Sequence, residues 1–278
     1  MDIKRSEVEQ LVRLALSEDI GEGDITSRAI FSEDDVCGGA IVSRQGGIVC
    51  GCDMVEYVYE ILDPRVKVVS NVKDGDSIGP GSKVMTIQGP TISVLSGERT
   101  ALNFIQRMTG IATRTSGVVS LLAGTGIHLL DTRKTAPGYR LLDKYAVKTG
   151  GGTNHRMGLY DMVMVKDNHI RAAGGIQHAV GMVRERYEMR YQVEVETTSL
   201  DEVREAVSSG ADIIMLDNMD PAMMKTAVDI INKKTRIEVS GNIDEFSIAK
   251  IRGLAIDYIS MGSLTHSVTA FDLSMEFD

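Results

Sequence analysis

The sequence predicts an α/β protein: an N-terminal α/β domain with a β-rich sandwich, followed by an open, incomplete (β/α) barrel of about six strands. From residue 128 onward, short apolar runs alternate with helical patterns at a spacing of roughly 20 to 35 residues, as βα units do. Between residues 38 and 89, β-branched runs alternate instead with Gly and Pro turns, the signature of a small β-rich domain. The apolar runs after residue 128 also end in charged or glycine-containing groups, as strands do at the functional rim of a barrel. The expected domains are 1–108 and 109–265, with the tail 266–278 packing back on the first.

In chain order, Ser6 and Glu9 form a capping-box pattern ahead of Val8, Leu11, Val12, Ala15 and Leu16, which recur at helical spacing. Residues 18–27, EDIGEGDITS, read as an acidic, glycine-punctuated loop whose Asp side chains cap and turn the chain rather than bind a cation. Strands are expected at 40–42, 47–49, 66–69 and 84–87, with a helix at 56–62 crossing the sheet. The turn at 73–81 is similar to the hairpins of lipoyl- and biotinyl-type domains, but no lysine stands at a matching tip. Residues 94–122 read as helix, with a break at Gly110. Beyond 128, apolar runs end near Asp131, Lys166, Glu196, Asp217, Ser240 and Gly262, among helices expected at 176–186, 200–208, 219–231 and 243–251.

With 278 residues, 43% hydrophobic and 25% charged, the chain can bury a substantial core. A net charge of -9 argues against nucleic-acid or anionic-membrane binding, which needs a broad basic surface. The first ten residues hold no apolar leader, and no window approaches a membrane span of about 18 apolar residues. The expected location is therefore cytoplasmic. Cys37, Cys50 and Cys52 are odd in number and lack zinc-site spacing, so they read as reduced, packed thiols.

Against that acidic background, residues 131–170 gather Arg133, Lys134, Arg140, Lys144, Lys148, Arg156 and Lys166, with Arg171 just beyond, around Gly150, Gly151 and Gly152. Guanidinium forks match carboxylate and phosphate oxygens, and glycine lets backbone N–H groups come close, so a compact polyanion is the implied ligand. A solvated helix face is the competing reading. The layout opposes it: Thr132-Arg133-Lys134 directly follows the apolar run at 128–130, and Lys166 the run at 162–165. The other strand ends carry Glu196, Asp217, Ser240-Gly241-Asn242 and Met261-Gly262-Ser263, the last two where barrels commonly bind phosphate through backbone N–H groups.

The motifs Asp131-Thr-Arg-Lys-Thr135, Gly150-Gly-Gly-Thr-Asn-His-Arg156, Lys166-Asp-Asn-His-Ile170, Val193-Glu-Val-Glu196, Met215-Leu-Asp-Asn218 and Glu98-Arg-Thr-Ala-Leu-Asn103 occur in this order along nearly the whole chain. In them the sequence resembles the quinolinate phosphoribosyltransferase family. The resemblance implies condensation of quinolinate with phosphoribosyl pyrophosphate to nicotinate mononucleotide, carbon dioxide and pyrophosphate, using Mg²⁺ and no organic cofactor. It implies a homodimer, or a higher homo-oligomer, in which Arg99 reaches the neighbouring subunit's site. Arg133, Lys134, His155, Arg156 and Lys166 would surround the quinolinate carboxylates beside Thr132. Glu196 and Asp217 would face the ribose and the magnesium, while Ser240, Gly241, Asn242, Met261, Gly262 and Ser263 would hold the 5′-phosphate. Lys134, Lys166, Glu196 and Asp217 form the implied catalytic set. Asn242, where the family often has a second glycine, and Ala136, in place of a commoner Thr, depart from the pattern.

Other readings remain open from the residues alone. A molybdenum-operon homologue of the same family would act on another substrate, and a Schiff-base lyase would use Lys166 at its strand end. A non-catalytic anion sensor on the same fold would bind without turnover, which leaves Glu196 and Asp217 without a purpose.

Overall fold

The computed structural model describes residues 3–277. In chain order its elements are α1 (Arg5–Ile20), α2 (Ile25–Ile30), β1 (Val36–Ser43), β2 (Gly47–Ile48), α3 (Cys52–Leu62), β3 (Lys67–Ser70), β4 (Ser77–Ile78), β5 (Lys83–Pro90) and α4 (Thr91–Leu121). There follow β6 (His128–Leu130), α5 (Arg140–Thr149), β7 (Val163–Val165), α6 (Asp167–Ala173), α7 (Ile176–Tyr187), β8 (Val193–Thr197) and α8 (Leu200–Ser209). The chain closes with β9 (Ile213–Asp217), α9 (Pro221–Ile231), β10 (Arg236–Ser240), α10 (Glu245–Ile251), β11 (Tyr258–Ser260), α11 (Ser263–His266) and β12 (Leu273–Phe277). It forms two units, Met1–Ser116 with Ala136–Gly151 and Leu264–Asp278, and Gly117–Thr135 with Gly152–Ser263.

In the first unit the β-branched runs pair antiparallel in the order β12-β1-β5-β3, beside a β2-β4 ribbon. Ile41, Met85 and Ile87 of the sheet and Met54, Val55, Val58 and Tyr59 of α3 are buried, and α1 packs on α3 through Val8, Val12 and Leu16. The start of α1 differs from the expected capping box at Ser6 and Glu9. Glu7 accepts the Lys4 N–H at 3.0 Å, and Glu9 instead pairs with Arg13 at 2.7 Å, because the helix begins one turn ahead of the apolar stripe. In the acidic loop, Asp24 caps α2 by accepting from Thr26 and Ser27, the capping role expected there.

The expected break at Gly110 does not occur, and α4 runs through it. A Cβ at Gly110 would meet the Thr269 carbonyl oxygen at 2.2 Å, so this glycine admits the C-terminal segment rather than interrupting the helix. That segment is pinned by Phe271 N–H donating to Gln106 O at 2.9 Å and by Gln106 Nε2 donating to Leu273 O at 2.7 Å. All three cysteines are free, with Cys50 and Cys52 buried.

In the second unit six strands pair parallel in the order β6-β11-β10-β9-β8-β7, leaving β6 and β7 as the ends of an open sheet. This is the open α/β architecture that the alternating pattern predicts. The helices start where their caps dictate: Ser199, Asp220 with Pro221 behind it, and Asp244 accept backbone N–H groups at the starts of α8, α9 and α10. α9 and α10 therefore begin at residues 221 and 245, later than their apolar patterns suggest. Among the described residues no helix is long and apolar enough to cross a membrane.

Candidate active site

The two basic motifs of the second unit are brought together by Asp131, the fully buried residue that follows β6. Its Oδ1 accepts the His155 N–H at 2.9 Å and its Oδ2 accepts Asn154 Nδ2 at 2.6 Å. Thr153 continues the tie: its N–H donates to Leu129 O at 2.8 Å, and its carbonyl accepts from Asp131 N at 3.2 Å. Residues 153–156 are thereby laid along the end of β6, beside the Thr132-Arg133-Lys134 turn, in which Lys134 N–H donates to Thr132 Oγ1 at 3.1 Å.

Arg156 donates from Nη1 to the Met162 carbonyl at 3.1 Å. Burial, and then the neighbouring Arg133 charge, lower its pKa. Two like charges crowded at a half-buried place set up a demand for an anion. The loop beyond is folded back by Asp161, which accepts from Met157 N at 2.6 Å and Gly158 N at 3.1 Å.

Lys166 follows β7, and its Nζ lies 2.6 Å from Glu196 Oε2 on β8. On the adjacent strand β9, Asp217 Oδ2 accepts Asn218 Nδ2 at 2.7 Å. Asn218 Oδ1 in turn accepts Asn242 Nδ2 at 3.1 Å, which links the turn after β10 to the Asp217 carboxylate. Gly241 permits this, since a Cβ there would meet Asn218 N at 2.7 Å and its φ is +93. Asn242 adopts φ 52, a left-handed conformation that asparagine tolerates better than most residues, so its departure from glycine is accommodated. After β11, Met261 is buried and its N–H donates to Leu130 O at 3.0 Å, with Gly262 and Ser263 half-buried beside it.

Thr132, Arg133, Lys134, His155, Arg156, Lys166, Glu196, Asp217, Ser240, Gly241, Asn242, Met261, Gly262 and Ser263 thus belong to one rim, at the carboxyl ends of the parallel strands. Arg99 stands exposed on α4 in the first unit. Arg140, Lys144 and Lys148, counted in the basic stretch, lie on α5 in the first unit, with Lys144 fully buried. The glycine run expected to approach an anion instead ends that helix: Gly150 N–H donates to Ala146 O at 3.0 Å, and a Cβ there would meet Ala112 O at 2.4 Å.

The pattern reading missed Glu194 on β8 and Glu238 on β10, both fully buried on the face that carries Glu196. His155 Nε2 lies 3.0 Å from Glu194 and 3.4 Å from Glu238. Burial pushes the Glu194 carboxyl up, against the hydrogen bond from His155. Burial pulls the His155 imidazole down, but hydrogen bonds and charge from Glu194 and Glu238 together outweigh it and raise the pKa. The alternation Val193-Glu-Val-Glu196 was the available signal, because a strand whose valines face helices must turn both glutamates inward.

Two groups of oxygen or nitrogen donors could hold a metal. His155, Glu194 and Glu238 place their donor atoms within 4.8 Å of one another. Glu196 and Asp217, half-buried at adjacent strand ends, offer the hard oxygen donors that magnesium takes alongside a substrate's phosphates.

The chain is similar to known proteins over nearly its whole length. A family model described as quinolinate phosphoribosyl transferase, N-terminal domain, matches residues 24–109, and its C-terminal counterpart matches residues 111–276. A probable nicotinate-nucleotide pyrophosphorylase [carboxylating] of Bacillus subtilis is 42% identical, covering 97% of this chain and 93% of its own. A chloroplastic nicotinate-nucleotide pyrophosphorylase [carboxylating] of Arabidopsis thaliana is 43% identical over 98% of this chain and 83% of its own. The crystal structure of NadC from Streptococcus pyogenes superposes with a TM-score of 0.95 at 41% identity, covering 99% of this chain and 98% of that one. Because sequence and structure match these proteins from end to end, across both domains, the chain belongs to the quinolinate phosphoribosyl transferase family.

Proposed function

We infer that the chain condenses quinolinate with phosphoribosyl pyrophosphate to give nicotinate mononucleotide, carbon dioxide and pyrophosphate, the pentosyl transfer of de novo NAD biosynthesis. One observation carries the chemistry: the like charges of Arg133 and Arg156 are set together on the rim that also presents Glu196 and Asp217.

Quinolinate bears two carboxylates beside a pyridine nitrogen, so several fixed cations are needed to hold it in one orientation. In this reading Arg133, Lys134, Arg156 and Lys166 take the carboxylates, and Thr132 and His155 shape the pocket. Aiming the nitrogen at the sugar C1′ is worth up to roughly 7 to 11 kcal/mol of barrier. Backbone N–H groups of the Ser240-Gly241-Asn242 and Met261-Gly262-Ser263 turns, apart from that of Met261 which is spent on Leu130 O, receive the 5′-phosphate. As the pyrophosphate bond breaks, positive charge grows at C1′, and the carboxylates of Glu196 and Asp217 support it. The same two residues would hold a magnesium ion, which supplies neutralisation of pyrophosphate charge. After the nitrogen is ribosylated, the cationic ring stabilises the carbanion left by departing carbon dioxide until a proton from solvent takes the vacated position, so the step needs no organic cofactor.

A second copy of the chain completes the site with Arg99, whose exposed place on α4 suits contact with a neighbour. The Schiff-base reading of Lys166 loses support, because its ammonium is already engaged by Glu196 at 2.6 Å. The test is release of labelled carbon dioxide from carboxyl-labelled quinolinate. Release should require phosphoribosyl pyrophosphate, and nicotinate and nicotinamide should yield no nucleotide. Label loss independent of the pentosyl donor would overturn the assignment.

A further inference from the structure

Behind the cationic rim lies a pair of buried carboxylates that the reaction does not use. Glu194 and Glu238 project from β8 and β10 onto the inner face of the parallel sheet, where neither is exposed to solvent. The His155 imidazole reaches both, its Nε2 lying 3.0 Å from Glu194 Oε2 and 3.4 Å from Glu238 Oε2. The opposite ring nitrogen, Nδ1, accepts the N–H of Arg156 at 2.7 Å.

That last contact decides what the cluster is. A neutral imidazole accepting at Nδ1 carries its proton on Nε2, the nitrogen that faces the two carboxylates at 3.0 and 3.4 Å. A metal ion ligated by this trio would need the Nε2 lone pair, leaving the ring no nitrogen for its proton. The close approach of Nε2 to both carboxylates, with Nδ1 taken by the Arg156 N–H, therefore favours a mount for the imidazole over a metal site. Buried carboxylates stabilise a fold less well than apolar groups of the same volume would, so their presence points to a directional task.

We propose that Glu194 and Glu238 are positioning residues for quinolinate: they lock the orientation and tautomer of His155, whose Nδ1 fixes the Arg156 backbone and hence the place of the Arg156 guanidinium beside Arg133. The inference rests on the reading of Arg156 as a quinolinate contact. A second support acts on the same segment, since Asp131 at the end of β6 holds His155 N–H and Asn154. Residues 153–156 are thus pinned at β6 on one side and at β8 and β10 on the other, and a loop arginine gains the precision of a strand residue.

The experiment compares Glu194→Leu, which keeps volume and removes the acceptor, with Glu194→Gln, which keeps an acceptor oxygen, and with the same pair at Glu238. The Leu variants should raise the KM for quinolinate by about tenfold while kcat and the KM for phosphoribosyl pyrophosphate change by less than about threefold. The Gln variants should recover most of that loss. Arg156→Ala is the control for the parent reading: if it leaves the quinolinate KM unchanged, the substrate assignment fails. If Arg156→Ala raises that KM and the Leu variants do not, the positioning role alone fails. Should the Leu variants not fold, ¹⁵N spectra of the histidine-labelled native protein decide, with the His155 signals assigned by their loss in His155→Gln. A protonated Nε2 and a bare Nδ1 support the mount. A protonated Nδ1, or stoichiometric metal in the purified protein that the Gln variants lose, overturns it.

Discussion

Two arginines of similar burial show opposite uses of the same side chain. Arg107 in the first unit donates to both oxygens of Asp143 at 2.9 and 3.0 Å and to the Thr265 carbonyl at 3.1 Å, with its guanidinium over the Tyr139 ring. Arg156 in the second unit donates to the uncharged Met162 carbonyl and stands against the charge of Arg133, and it feels Glu194 and Asp161 through space without a hydrogen bond to either. The first arginine has its carboxylate built into the fold, and the second awaits one from a ligand. What separates these two arginines is therefore the partner each finds, and not the local density of basic residues.

The largest effect expected from this distinction concerns Arg99, exposed on α4. If it serves a neighbouring chain's site, Arg99→Ala and Lys166→Ala proteins should each be almost inactive. Half of the dimers in an equal mixture are then hybrids, each with one intact site, so activity should return to about a quarter of the native value. No recovery on mixing and refolding would place Arg99 with Arg107, among the cations that serve their own fold.

Next in size is Arg107→Ala, which strands a carboxylate of 0% exposure and should destabilise the fold by about 3 to 5 kcal/mol in denaturant titrations. The pH dependence has a definite sign. Burial raises the Asp143 pKa against the opposing effect of Arg107, so the native state binds that proton more tightly than the unfolded chain does. Its contribution to stability is greatest at low pH and falls as pH rises from the ordinary carboxylate range through the raised native value. Removing Arg107 raises that value further, so the destabilisation should be smaller at pH 5 than at pH 8. A loss that is flat with pH would show that Asp143 finds another cation.

Arg133→Ala and Arg156→Ala should behave in the opposite way. Each should weaken quinolinate binding by about 1.5 to 3 kcal/mol per lost charged hydrogen bond, measured by calorimetric titration. Arg156→Ala should not lower the melting temperature as Arg107→Ala does, because it relieves a like-charge contact and strands no ion-paired carboxylate. A large stability loss with unchanged quinolinate affinity would erase the distinction between the two arginines.

The same contrast explains what could be read from the sequence. The strand ends were legible because each is marked locally, by an apolar run followed by a charged or glycine-rich turn, as at 128–134 and 162–166. The partners were not. Arg107 looks like any helix cation until α5 brings Asp143 to it, and the alternation around Glu194 turns it inward without showing that Glu238 and His155 meet it there. Gly110 reads as a helix break because helix propensity is local, whereas the carbonyl of Thr269 that requires it arrives from far along the chain. Helix α5 is hard to see in the sequence because its buried apolar stripe, Leu142, Ala146 and Val147, is short and set among charged residues. Asp131 likewise read as one acid among several, although it is the residue that joins the two basic motifs.

The smallest expected effect tests how far partner geometry extends beyond the charged residues. Asn242→Gly relieves a left-handed conformation at φ 52, which favours the folded state, but deletes the donor to Asn218 Oδ1 at 3.1 Å. The two effects oppose each other, and stability should change by less than about 1 kcal/mol. Asn218, freed on one side, holds the Asp217 carboxylate less firmly through its 2.7 Å hydrogen bond. The KM for phosphoribosyl pyrophosphate should therefore rise by about threefold with quinolinate affinity unchanged, since no part of this chain of amides touches Arg133 or Arg156. If the glycine variant instead binds the pentosyl donor more tightly, the Asn242 side chain obstructs the phosphate turn rather than bracing it, and the departure from glycine carries a penalty in this chain.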